Sequence, residues 1–195
     1  MRISLDTDQV ALGVVELDAI EIPESAPASR PRPLPGTDLQ DARRLYRAVG
    51  LDPTRTRPSS EALWRRLRRG EPLPRINALV DVVNFCSVSL LLPFGAYDAG
   101  RIEGDVVLRL GREGEGYEGI GKPRVNLSGR YALCDARGPF GNPTSDSKRT
   151  RITPGTRRAL VTIFAPRDHP LDRVEWVAAA LRARVGGRVA TQVLR

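Results

Sequence analysis

Ile76–Asp105 reads INALVDVVNFCSVSLLLPFGAYDAGRIEGD, and the reading of this stretch decides the fold. Its first half is apolar at helical spacing. Val80, Val83, Val88 and Leu91 fall on one stripe, and Leu79, Val82, Cys86 and Leu90 on another. β-Branched residues are frequent enough for a strand, but the length, and an Asn77 placed to cap the first turn, favour a helix. Pro93 and Gly95 stop it. A helix apolar nearly all round is a buried one. Asp81 and Asn84 interrupt the dry run. A buried carboxylate or amide needs hydrogen bonds, so each either ties down nearby backbone or faces a pocket. Pro93–Asp98, PFGAYD, reads as a loop that Asp98 caps or braces.

Upstream, Val10–Ile22 is a first strand or strand pair, closed by Pro23. Residues 23–36, with five prolines and no apolar period, form an extended arm. Thr37–Val49 is a helix capped by Thr37 or Asp38, with Leu39, Ala42, Tyr46 and Val49 inward. Ser59 or Ser60 caps a second helix, Glu61–Arg69, with Leu63, Trp64 and Leu67 inward. Downstream come a strand at Ile102–Leu110, a glycine-rich turn region at Gly111–Lys122 and a short strand at Tyr131–Cys134. A polar loop at Asp135–Ile152 follows, then a strand at Ala159–Phe164, a helix at Asp172–Val185 and a last strand at Arg188–Leu194. Strands and helices alternate without a βαβ period. The expected fold is α+β, a mixed or antiparallel sheet with packed helices. The domain reading is an N-terminal strand and arm over 1–36 and one α+β domain over 37–195, together forming one compact unit.

The chain has 195 residues, enough for one substantial core. It has no apolar run of membrane-spanning length and no secretory leader at MRISLDTDQV. Cys86 and Cys134 sit in apolar segments without a partner motif and read as free thiols of a reducing cytoplasm. No Cys/His cluster offers a metal site, and no motif implies a cofactor. The formal charge is +8 and the pI near 10.4. Only Lys122 and Lys148 are lysines, an arginine bias of the kind genome composition produces, so distribution is the better guide. Nine arginines (Arg43, Arg44, Arg47, Arg55, Arg57, Arg65, Arg66, Arg68 and Arg69) lie between Asp41 and Gly70 against Asp41, Asp52 and Glu61, while the first forty residues are net acidic. Two arginine-faced helices close in sequence suit a phosphate backbone. A solvated surface explains either face alone.

Catalytic signatures are thin. His169, the lone histidine, lies in RDHPLD between a strand and a helix and reads as exposed or capping. Thr144–Thr150, TSDSKRT, packs hydroxyls, a carboxylate and a guanidinium together. Asp146 could hold an amino group there, and Arg149 a carbonyl or phosphate oxygen. An Asx turn built by Asp146 accounts for the same residues.

The blocks Leu79–Phe85 (LVDVVNF), Pro93–Asp98 (PFGAYD) and Arg101–Gly104 (RIEG) resemble, in order and spacing, the VVDVTNY, PMHAFD and RIEGG blocks of a tRNA-editing module. That module is the B3/4 domain of the bacterial phenylalanyl-tRNA synthetase beta subunit. Weaker similarity runs upstream through the arginine helices and downstream to Phe140-Gly141, so the chain resembles a freestanding member. The resemblance implies an α+β fold and hydrolysis of tRNA charged with the wrong amino acid. Asn84 matches the family asparagine, and Tyr97 and Asp98 its aromatic-aspartate pair. Gly95 stands where the family has histidine, and the family glutamate falls near Pro143 with no acidic match. On this reading Asn84 and Ser147 or Thr150 position the ester or water. Asp146 holds the ammonium or polarises the water, and Arg149 faces the oxyanion or terminal phosphate. Asp81, Gly95, Tyr97 and Ser145 line the pocket, and Arg43, Arg47, Arg65, Arg66 and Arg69 grip the acceptor arm of an aminoacylated tRNA. The alternative is a module that binds RNA, or an amino-acid-like ligand, without turnover.

Overall fold

The computed structural model describes residues 1–25 and 30–195. Its strands are β1 (Ile3–Leu5), β2 (Val10–Asp18), β3 (Phe94–Asp98), β4 (Val106–Leu110), β5 (Gly116–Gly119), β6 (Lys122–Asn126), β7 (Tyr131–Asp135), β8 (Gly138–Gly141), β9 (Arg158–Pro166) and β10 (Arg188–Leu194). Its α-helices are α1 (Leu39–Ala48), α2 (Ser59–Arg68), α3 (Ala78–Leu90) and α4 (Val174–Val185). This is an α+β fold.

One antiparallel sheet runs β10-β2-β9-β3, and a second runs β1-β4-β7-β8 with only β1 and β4 parallel. β2, β9 and β3 of the first sheet are buried on both faces, which is why β2 and β9 read as continuous apolar runs rather than alternations, whereas the edge strand β10 is largely exposed. Ala11, Val15 and Leu17 of β2, with Val161 and Ile163 of β9, pack under α3 and α4. Val10, Leu12 and Val14, with Leu160 and Phe164, face the other way, onto Leu108, Leu133 and Phe140 of the second sheet and Tyr46 of α1. The outer face of the second sheet is covered by the β5–β6 hairpin through Val125, Tyr117, Ala132 and Cys134. The layers are thus helices, sheet, sheet and hairpin.

The decisive helix forms as its pattern requires. Asn77 Oδ1 accepts from the Val80 amide at 3.0 Å, and Leu91, in the left-handed region at φ 56°, ends the helix. Asp38 caps α1 by accepting from the Gln40 amide. The central part of the proline arm, 26–29, lies outside the described residues. Arg30 donates to the Leu67 carbonyl, and the Leu34 amide to the Ser89 carbonyl, so the arm's second half lies along α2 and α3.

Four local readings are corrected. PFGAYD is not a loop: Phe94–Asp98 is a fully buried edge strand paired with β9. Its small residues carry little β propensity, and burial on both faces erases the alternation that would mark it. Gly111–Lys122 holds half of the β5–β6 hairpin, and Asp135–Ile152 holds β8, both glycine-rich strands. Neither Ser59 nor Ser60 caps α2. The helix begins after Pro58, and the buried Ser60 hydroxyl donates to the Leu91 carbonyl at 3.1 Å.

Candidate functional site

β3 places Gly95 and Tyr97 on one face, two residues apart, looking across to the second sheet. Gly95 pairs in register with Thr162 of β9. The Tyr97 ring is wholly buried and meets Phe140 edge-on, at 5.0 Å between centroids. Its phenol lies between two glycines. A Cβ at Gly95 would fall 1.9 Å from Tyr97 Oη, and a Cβ at Gly141 would fall 2.3 Å from it. Both positions lack side chains because the Tyr97 head fills their space.

Asp146 reaches this phenol from the segment after β8. Its Oδ2 accepts from the Ala96 amide at 3.4 Å, across fifty positions of chain, while Oδ1 has no partner among the described residues. The hydroxyls of Tyr97, Thr162 and Thr150 are likewise buried and unpartnered there. A native core rarely leaves such atoms bare, since each carries a desolvation cost. Burial drives the Asp146 carboxyl up to about 7, against the opposing influence of the Tyr97 hydroxyl and the Ala96 amide. Burial first, then the Asp146 charge, pushes Tyr97 well above the usual phenol range.

The remaining polar residues of the segment hold it in shape. The Asx turn here belongs to Asn142, not Asp146: Asn142 Oδ1 accepts from the Thr144 and Ser145 amides at 2.7 and 2.8 Å. The Ser147 amide donates to the Phe140 carbonyl, and its hydroxyl accepts from the Arg149 amide. The Thr150 carbonyl accepts from the Asp98 amide. The Ser145 hydroxyl accepts from Lys122 Nζ at 2.8 Å. Arg149 makes two 2.9 Å bonds to the buried Asp135 carboxylate and lies over the Phe140 ring at 5.7 Å. Its guanidinium is therefore committed within the fold.

The structure brings together Gly95, Tyr97, Asp146 and Thr162. Ser145, Ser147, Arg149 and Thr150 follow in the surrounding segment. Asn84 is half-buried on α3, and no hydrogen bond among the described residues joins it to this group. Asp81 anchors backbone: it accepts from the Ile76 amide at 3.0 Å and from the Ser25 hydroxyl. Of the arginine faces, Arg43 and Arg65 converge on the Glu61 carboxylate at 2.7 and 2.9 Å. Glu61 is 1% exposed, and Arg43 above all holds its carboxyl below the usual range. Arg66 and Arg69 pair with Glu71, and Arg47 with Gln40. Thr162 and Glu61 escaped the sequence reading as site residues, and Gly141 entered it only as the downstream limit of the family resemblance. A lone hydroxyl inside ALVTIF was the available signal for Thr162.

Cys86 and Cys134 are buried thiols, pushed up by burial to about 12 and about 11. Among the described residues, no group of three His, Cys, Asp or Glu side chains could hold a metal ion, and no helix is long and apolar enough to cross a membrane.

Comparison with known proteins adds an independent finding. The family model described as B3/4 domain matches residues 41–169. The phenylalanine–tRNA ligase beta subunit of Paramagnetospirillum magneticum is 40% identical over 65 residues, 33% of this chain and 8% of that protein. The Bartonella quintana beta subunit is 42% identical over 88 residues, 44% of this chain and 11% of that protein. The match thus spans about a tenth of these relatives' length. Among solved structures, an N-terminal fragment of the Pyrococcus horikoshii phenylalanyl-tRNA synthetase beta subunit covers 96% of this chain and 50% of its own, at 14% identity and a TM-score of 0.49.

Proposed function

This chain belongs to the B3/4 domain family, and from that membership together with the buried Asp146 group we propose that it binds the aminoacylated end of a tRNA in the cytoplasm and hydrolyses the ester of a wrongly attached amino acid. The observation that carries the reading is the buried Asp146 carboxyl held against β3, the strand that bears the family block, beside the Tyr97 phenol and its neighbour Thr162. An aminoacyl ester is already activated, so placing a water and a base against it accomplishes much of the work. A carboxyl near neutrality is suited to that base. Water adds to the ester carbonyl as Asp146 takes its proton. The tetrahedral oxyanion then collapses, and the ribose oxygen leaves with the proton that Asp146 returns. Asn84, Ser147 and Thr150 would orient the ester or water. Arg149, tied to Asp135, would act by holding the segment and not as an oxyanion ligand.

The test is a deacylation assay across tRNAs carrying different amino acids. Asp146→Asn is expected to slow hydrolysis of the preferred substrate by about a hundredfold or more, the usual worth of a positioned base. Equal rates for wild type and variant, on a substrate that is turned over, would remove Asp146 from the mechanism.

A second reading is a binding module without turnover. The Tyr97 phenol, packed into the space of Gly95 and Gly141, favours it, because the room a reacting group needs beside β3 is already occupied. RNA binding with no hydrolysis of any aminoacyl-tRNA would leave this reading standing alone.

A further inference from the structure

A cavity of about 310 Å³ lies between α1, the end of α3 and the connection from β9 to α4, and it shares no lining residue with the Asp146 group. That volume is at the lower end of small-molecule pockets. The floor is apolar: Leu90, Leu92, Ile163, Leu171 and Val174 are each buried. The rim is charged, and its sign opposes that of the chain. Asp41, Asp168 and Asp172 face the two guanidinium groups of Arg44 and Arg173, in a protein of net charge +8.

Most of these charges have assignments. Arg44 bridges Asp41 and Asp168, at 2.8 Å to each, and so neutralises about one of them. Arg173 spends one long bond, 3.3 Å, on the Pro35 carbonyl. His169 adds no positive charge, since burial holds it below its ordinary range and its Nδ1 accepts from the Leu171 amide at 3.1 Å. Its proton therefore sits on Nε2, which is 3.9 Å from Asp41 Oδ2, too far for a hydrogen bond. What remains is two carboxylate charges, one shared by Asp41 and Asp168 and one on Asp172, with an unspent His169 donor and a largely free Arg173, a net excess of one negative charge. Arg173 also stands at the start of α4, where no side chain caps the first turn.

An apolar floor rimmed by an uncompensated carboxylate and a guanidinium fits a small amphiphile that carries an ammonium group. We propose that this cavity is a binding site for a free aliphatic α-amino acid. The side chain rests on Leu90, Leu92 and Ile163, the ammonium faces Asp172 and Asp41, and the carboxylate meets Arg173 and the open first turn of α4. The site is independent of the hydrolytic reading and stands or falls separately from it.

His169 is the chain's only histidine, so its imidazole NMR resonances report on this cavity alone. Titration of the full chain uses three probes of one shape: L-leucine, isopentylamine without the carboxylate, and 4-methylpentanoate without the ammonium. Leucine and the amine are expected to move the His169 signals saturably, with the acid about tenfold weaker or worse. Asp172→Asn should weaken leucine and the amine together, by about tenfold, with the rest of the spectrum unchanged. Arg173→Gln should weaken leucine and spare the amine. The proposal is overturned if neither ammonium compound gives a saturable shift at millimolar concentration, if the acid binds as well as the amine, or if Asp172→Asn leaves leucine affinity where it was.

Discussion

The Tyr97 phenol has been given room by the absence of two side chains, and that makes it testable through them. Adding a methyl at Gly95 sets a carbon 1.9 Å from Oη and 2.5 Å from the ring carbon that bears it, so the ring must move against Phe140. Gly95→Ala is expected to cost about 1–3 kcal/mol in wild type. It should cost distinctly less in a Tyr97→Leu background, where the shorter side chain vacates that volume. A denaturant double-mutant cycle with no coupling between the two positions would contradict the packing described. Asp146 supplies a second residue-scale prediction. Its folded pKa, about 7, is above the ordinary 3.8, so the neutral acid is the form that the fold favours. The stabilising contribution is full below about pH 4 and is lost as the pH rises through about 7. Relative to wild type, Asp146→Asn should therefore be little changed at acid pH and gain up to a few kcal/mol at pH 8, read from urea midpoints at the two pH values. This residue was legible in TSDSKRT as a chemical group, but its partner was not. Sequence offers an Asx turn for any aspartate in such a segment, and only the folded chain shows that Asn142 makes the turn and that Asp146 is drawn to the Ala96 amide of β3, beside Tyr97.

Between α1 and α2 the connection is ionic rather than apolar. Leu63 and Trp64 are only half-buried, whereas the Glu61 carboxylate is closed off and receives Arg43 from one helix and Arg65 from its own. Its depressed pKa gives the linkage the sign opposite to that of Asp146: the stabilisation is present above about 4.5 and lost as the pH falls below it. Glu61→Gln should lower stability at pH 7 by about 1–3 kcal/mol, and the gap from wild type should narrow toward pH 3. A gap that stays constant across that range would mean the carboxylate's charge is not what joins the helices. The arginine stripes were visible in the sequence as surface; that one acid would be buried beneath them was not, because helical periodicity ranks Glu61 with the exposed residues around it. The helices and β9 and β10 were legible from their apolar pattern, and caps marked the starts of α1 and α3. The strands that were missed are β1, β3, β5, β6 and β8. In β3, β5 and β8 glycine replaces the β-branched residues that announce a strand and pairing partners supply the stability instead; β1 is three residues long and β6 is mostly polar.

At the scale of the molecule, charge and topology separate the basic surface from the core. β2 lies between β9 and β10, so the acidic N-terminal segment supplies a central strand while the arginine-rich segment wraps outside it on α1 and α2. The arginines of that wrap divide by what they hold. Arg43 and Arg65 serve Glu61, so replacing them changes stability as well as charge. Arg47, Arg66 and Arg69 have partners that are themselves exposed or partly exposed, and such pairs exchange readily for a phosphate. If these helices grip an RNA backbone, each phosphate contact contributes a fixed increment to the salt dependence of binding, about 0.7 in the slope of log affinity against log salt for single strands and about 0.9 for duplex. Replacing Arg47, Arg66 and Arg69 together by alanine should thus weaken tRNA binding and flatten that slope by about 2–3, with the denaturation midpoint close to wild type. The same change at Arg43 and Arg65 should lower the midpoint as well. A slope left as steep by the first triple variant would move the RNA off this face, because the electrostatic increment depends on which cations touch phosphate and not on the net charge of the chain.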